Sequence, residues 1–124
     1  MEKDIETKVV NVKVKFIRPK YKDLEEWMKD PNHVYIGRAG AVFIKGTRFP
    51  RKGSNWGNPF TVKQHGYENC LVLYEEWLRR KIEAEGTEFL KKLKGKQLGC
   101  WCKPERCHGD ILKKVLEEVL EKEQ

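Results

Sequence analysis

Three of the four cysteines, one of the three histidines and an aspartate fall within twelve residues, Gly99-Cys100-Trp101-Cys102-Lys103-Pro104-Glu105-Arg106-Cys107-His108-Gly109-Asp110. Two chemistries suit such a cluster. Cys100, Cys102, Cys107 and His108 form a Cys3His donor set for tetrahedral zinc, structural with four protein ligands or catalytic with three and a bound water. The Cys-x-Cys and adjacent Cys-His spacings are tighter than the usual Cys-x2-Cys knuckle and strain the chelate. Alternatively Cys107, beside Arg106 and His108 at the start of a helix, has surroundings that lower a thiol pKa, and Asp110 can orient His108. In that case Cys107, His108 and Asp110 are a catalytic set. A third possibility is structural: cysteines on a buried strand are small hydrophobes, and His108 and Asp110 cap a helix. The residue types leave all three open.

A second constellation, Gly53-Ser54-Asn55-Trp56-Gly57-Asn58-Pro59-Phe60, lies upstream. Its glycines allow backbone amides to approach a phosphate, and Trp56 offers a face on which a base can stack. Arg38, Arg51, Ser54, Asn55, Trp56 and Asn58 are the candidate substrate-binding residues, because arginines clamp anions with paired donors. Against that, Trp56 and Phe60 can simply plug the core beneath a long loop. The charge distribution favours an anionic partner. Residues 31–66 hold six basic side chains (Arg38, Lys45, Arg48, Arg51, Lys52, Lys63) and no acid, while the rest of the chain is nearly balanced, so most of the net +7 sits there. Nucleotides and nucleic acids are the natural partners of such a stretch, although a solvated basic loop has the same composition.

These residues must be positioned by a small fold. At 124 residues, 36% charged and 39% apolar, the chain is expected to be one globular domain spanning 1–124. No apolar run reaches the length of a membrane span, and the N-terminal residues lack the apolar core of a signal peptide. A cytoplasmic location without membrane contact is therefore expected, and in a reducing compartment clustered thiols bind metal or react rather than pair. The Lys/Glu-rich composition is a thermophile trait.

Alternation of Val10, Val12, Val14 and Phe16 predicts a strand over Lys8–Phe16, and Leu24, Trp27 and Met28 predict a helix over Tyr21–Lys29. His33–Ile36 and Ala41–Ile44 are short β-rich runs. Lys45–Asn58 is expected to be a long loop, a feature that in compact domains is usually functional. Cys70, Leu73, Tyr74, Trp77, Leu78 and Ile82 then mark a helix from Tyr67 to Gly86, with Cys70 in the core. A short helix over Glu88–Leu93, a strand over Lys96–Cys102 and a helix through Ile111, Leu112, Val115, Leu116, Val119 and Leu120 complete the chain. This order implies an α/β fold, a mixed sheet flanked by helices, with the cysteine motif at a strand-to-helix junction. Open α/β sheets bind ligands at such junctions.

Val9-Val10-Asn11-Val12, Tyr35-Ile36-Gly37-Arg38, Ser54-Asn55-Trp56-Gly57-Asn58-Pro59-Phe60, Tyr74-Glu75-Glu76-Trp77-Leu78 and the Cys-Trp-Cys-x4-Cys-His-Gly-Asp run occur in an order that resembles domain of unknown function 4326 over roughly Lys8–Leu120. Residues 13–32 and 39–52 are longer than that pattern. The resemblance implies a site without naming its reaction. From the residues themselves, the expected function is action on, or binding of, a phosphate-bearing nucleotide or nucleic-acid ligand, with the Cys/His/Asp cluster and the basic loop as two halves of one pocket. The alternative is a non-catalytic, zinc-stabilised nucleic-acid-binding module, and whether the protein is an enzyme stays open.

Overall fold

The computed structural model describes residues 6–101 and 106–123. Cys102, with its expected role as a thiolate donor, lies outside the described residues. The elements run β1 (Lys8–Asn11), α1 (Val14–Ile17), α2 (Leu24–Met28), β2 (His33–Tyr35), β3 (Val42–Ile44), β4 (Thr47–Phe49), α3 (Val62–His65), α4 (Tyr67–Glu85), α5 (Glu88–Lys91), β5 (Gln97–Cys100) and α6 (His108–Lys122). The expected α/β class is what the chain forms. Strands of both orientations occur, divided between a three-stranded parallel sheet in the order β1-β5-β2 and a separate antiparallel hairpin, β3-β4.

Parallel strands bury both faces, and β5 shows how. Leu98 and Cys100 point into one core, which α4, α5 and α6 cover with Tyr74, Leu78, Leu90, Leu112 and Leu116. On the other face, Gly99 lies under the Trp27 ring. A Cβ there would come within 2.6 Å of Trp27 and 2.7 Å of Val12, so only glycine lets α2 pack this closely. Val12, Ile17, Leu24, Trp27 and Tyr35 form that second core. Trp27 also stacks on His33, whose Nδ1 lies 2.7 Å from the Trp27 carbonyl, tying α2 to β2.

Three elements differ from expectation. The first strand stops at Asn11 instead of Phe16, because the Asn11 carboxamide oxygen accepts the Lys13 amide at 2.9 Å and turns the chain into α1. The second helix begins at Leu24 rather than Tyr21, since Asp23 caps it by accepting the Glu26 amide at 3.0 Å. The segment expected as a loop over Lys45–Asn58 contributes β4, joined to β3 by Lys45-Gly46 with φ of 53° and 77°. A type I′ hairpin turn needs φ > 0 at both central positions, and lysine in the first of them hides the signal that Asn-Gly would give. The last helix begins at His108 with Cys107 as its N-cap, which places Asp110 in its first turn as expected.

Candidate functional site

All three parallel strands end on one edge of the sheet, and both sequence motifs gather there. The connection is the segment after β2. The Ile36 carbonyl receives the His108 ring, whose Nε2 lies 2.7 Å away. The next carbonyl, Gly37, accepts the Ser54 amide at 3.2 Å. A Cβ on Gly57 would stand 3.4 Å from the Gly37 oxygen, so the Trp-Gly-Asn-Pro-Phe loop lies directly against the same turn. Tyr74 of α4 closes the arrangement: its hydroxyl donates to the Trp56 carbonyl at 2.6 Å, and its ring stands edge-on to His108, with centroids 5.2 Å apart. The two motifs therefore meet, through Ile36-Gly37 and Tyr74.

Their polar groups are spent on one another. A carbonyl can only accept, so His108 carries its proton on Nε2 and cannot ligate a metal through that atom. Cys107 and Asp110 form a reciprocal cap in which the Asp110 carboxylate accepts the Cys107 amide at 3.0 Å. The first turn of α6 presses so hard on the sheet that a Cβ on Gly109 would come within 2.8 Å of Val9 and 2.9 Å of Ile36. Cys107 is 2% exposed, and its sulfur lies 3.2 Å from that of Cys100, at 1% exposure. The hydrogen bond between the two thiols, together with burial, pushes the Cys107 thiol well up. The expected lowering of its pKa is not what forms, because the neighbouring Cys100 thiol and desolvation outweigh the helix terminus. Burial likewise pushes the His108 imidazole below its ordinary 6.5.

Among the described residues no three His, Cys, Asp or Glu side chains converge on a common point. Cys100 and Cys107 are the pair that could share a metal. Two thiolates on one tetrahedral zinc sit about 3.7 Å apart, so the pair would open by roughly half an ångström to admit it.

The Trp56 side chain packs against the α4-α5-α6 core and its indole N–H donates to the Phe89 carbonyl at 3.2 Å. That is the core-plug role. Asn58 and Ser54 shape the loop: the Asn58 carboxamide contacts the Cys70 carbonyl at 3.4 Å and accepts the Phe60 amide at 2.9 Å, while the Ser54 hydroxyl accepts the Trp56 amide at 3.0 Å. Asn55 and Arg51 are exposed on the surface, as is Arg38.

The open space lies on the opposite face of β5. A cavity of about 620 Å³ is bounded by β1's exit, the α1-α2 segment, the β3 strand and Trp101. Val12, Leu24, Val42 and Trp101 contribute apolar wall, and Lys13, Lys15, Arg18, Lys22 and Lys45 bring five cations. Asp23 is the acid of the lining, and its carboxylate is occupied in capping α2. A second cavity of about 490 Å³ shares Trp101 in its lining, with Arg38, Ala39, Gly40, Ala41 and Arg48. The setting is a topological switch point: the helices following β1 pack on one face of the sheet, α6 following the adjacent β5 on the other, so the chain opens a crevice between the two strand ends.

Sequence reasoning passed over most of these cations. Residues 11–22 hold five basic side chains and no acid. Averaged over residues 1–30, where seven acids flank them, the run vanishes into a near-neutral segment. A shorter window would have found it, as would ending β1 at Asn11.

No helix among the described residues is long and apolar enough to cross a membrane. The chain is 34% identical over 70 residues to an uncharacterized 12.4 kDa protein in the nrdA-td intergenic region of Enterobacteria phage T4, an alignment covering 55% of this chain and 65% of the relative. It is 33% identical over 87 residues to uncharacterized protein R718 of Acanthamoeba polyphaga mimivirus, covering 64% of this chain and 62% of the relative. The chain thus spans a little under two thirds of the length of these relatives. No solved structure matches it. With residues 20–118 matching the family model, and both family motifs joined at one edge of its sheet, the chain belongs to the family described as Domain of unknown function (DUF4326).

Proposed function

We propose that this protein binds a phosphate-bearing ligand of the nucleotide class in the cleft between the ends of β1 and β5, with the Cys/His/Asp junction as the scaffold that fixes the cleft's floor. The observation that carries this reading is the lining of the 620 Å³ cavity: five cations around an apolar wall, against one acid already engaged in a helix cap. That volume suits a nucleotide-sized molecule, and cationic side chains bordering an apolar surface suit a phosphate attached to a base. Arg38, expected from the sequence as an anion-binding residue, lines the adjoining cavity.

Isothermal titration with adenosine monophosphate, adenosine triphosphate and inorganic phosphate at low salt tests it. Binding should strengthen with phosphate count, weaken as salt rises, and fall at least about tenfold in Lys15→Glu/Arg18→Glu, since each lost phosphate contact is worth on the order of 1.4 kcal/mol. Absence of binding, or equal affinity in the double variant, would contradict the assignment.

A structural zinc is a second reading, favoured by the 3.2 Å approach of the Cys100 and Cys107 sulfurs. It requires Cys102 or another donor to complete the set. Metal analysis of purified protein before and after chelator, with the melting temperature followed in parallel, decides it: stoichiometric zinc and a lower melting temperature on its removal support the staple, and a metal-free protein of unchanged stability excludes it.

A further inference from the structure

We infer that the ligand of this cleft is a single-stranded polynucleotide, which crosses the Trp101 ridge with phosphates on the Lys13–Lys22 side and on the Arg38/Arg48 side and with bases stacked between them. The inference rests on the nucleotide-class reading above and deepens it.

Trp101 is the shared wall of the two cavities, which together measure about 620 Å³ and 490 Å³. A single nucleotide fills one of them and leaves the other empty, although Arg38 and Arg48 line it. The indole is also prepared for stacking. Its N–H donates to the Tyr35 hydroxyl at 2.8 Å, and that hydroxyl donates to the Arg38 carbonyl at 2.8 Å. Tyr35 supports the ring edge-on, with centroids 6.2 Å apart and planes at 76°. With its one donor spent, the half-buried indole has only its π surface to offer a ligand. A second aromatic, Phe43, forms part of the larger cavity's lining at 65% exposure, with the Arg48 guanidinium 4.6 Å above its ring. Cations on both flanks of an oriented aromatic ridge are what a single strand requires, since every base has a π face and every linkage a charge. A duplex buries its base faces and could use only the cations.

Fluorescence anisotropy tests this with labelled oligothymidylate and oligouridylate of about eight nucleotides, a duplex of equal length, and a mononucleotide as competitor. Both oligomers should bind at least about tenfold more tightly than the mononucleotide, with the steeper salt dependence that additional phosphates impose, and the duplex more weakly than either. Preference for oligouridylate or for oligothymidylate identifies the strand as RNA or DNA, and parity marks a binder indifferent to the sugar; each supports the inference. Trp101→Ala should remove at least about tenfold of oligomer affinity and Trp101→Phe restore most of it. Arg38→Ala should lower the logarithmic salt slope by about 0.7, the value of one single-strand phosphate contact. Oligomers no tighter than the mononucleotide overturn the inference and leave the nucleotide pocket standing, whereas failure of every ligand to bind removes both. Preference for duplex, or an oligomer advantage unchanged in Arg38→Ala and in Trp101→Ala of native melting temperature, also overturns it.

Discussion

Cys100 and Trp101 are neighbours at the end of one strand, yet they belong to opposite worlds. Cys100 turns into a sealed junction where thiols, an imidazole, a carboxylate and backbone carbonyls satisfy one another. Trp101 turns toward open cavities walled by cations. The residues most conspicuous for chemistry hold the fold together, while plain lysines and arginines border the space a ligand can enter. A Cys107 pKa raised by the Cys100 thiol and by burial, and exposed cations bordering the cavities, are the electrostatic signatures of these two roles. The comparison therefore separates stability from binding, and variants should separate them too.

The largest expected effect is at the junction. Gly109→Ala places a methyl within 2.9 Å of both Val9 and Ile36, and overpacking of this kind costs about 1–3 kcal/mol. Chemical denaturation should record that loss, with nucleotide affinity unchanged well below the melting transition. Lys15→Glu/Arg18→Glu should behave in the opposite way: affinity falls at least about tenfold while stability moves by no more than about 0.5 kcal/mol, as for exposed substitutions in general. Should the first variant lose affinity and the second lose stability, the division of labour is wrong.

Asp110→Ala comes next. It removes the carboxylate that accepts the Cys107 amide, and loss of a capping partner costs about 1 kcal/mol, readable as a lower denaturation midpoint. A smaller effect concerns pH. Burial holds His108 below its ordinary 6.5. Above that value the ring is neutral in folded and unfolded chains alike and adds no pH dependence. As pH falls through 6.5 the unfolded chain takes up a proton that the folded junction resists, so stability declines until the folded value is reached. His108→Gln, which keeps a donor for the Ile36 carbonyl, should be less stable overall yet flatter with pH just below 6.5. An unchanged pH profile would show that the imidazole is not held neutral by burial.

Much of this architecture was legible because periodicity reports burial. Leu98 and Cys100 alternate with Gly99 and Trp101 across β5, and the stripes on α4 and α6 face the core that their spacing indicated. Motif adjacency was legible as well, since a strand-to-helix junction brings distant segments to one sheet edge. What escaped was decided by single side chains acting locally. The Asn11 turn ended a strand whose valines continued to alternate, and the Lys45-Gly46 turn concealed a hairpin. The cavity escaped for a related reason: the acids flanking residues 11–22 hide the basic run in sequence, and only the fold brings Lys45 and Trp101 beside it. No residue-type argument could foresee that Ile36 and Gly37 would lend their carbonyls to both motifs.

The central claim is that a ligand enters the cleft and leaves the junction untouched. Amide chemical-shift mapping of the isotopically labelled protein during titration with adenosine triphosphate tests it most directly. Perturbations concentrated at residues 12–24 and 42–45 and at Trp101, with residues 56–60 and 107–110 left in place, are the predicted result. Shifts centred on Cys107, His108 and Asp110, with the lysine-rich segment silent, would contradict it.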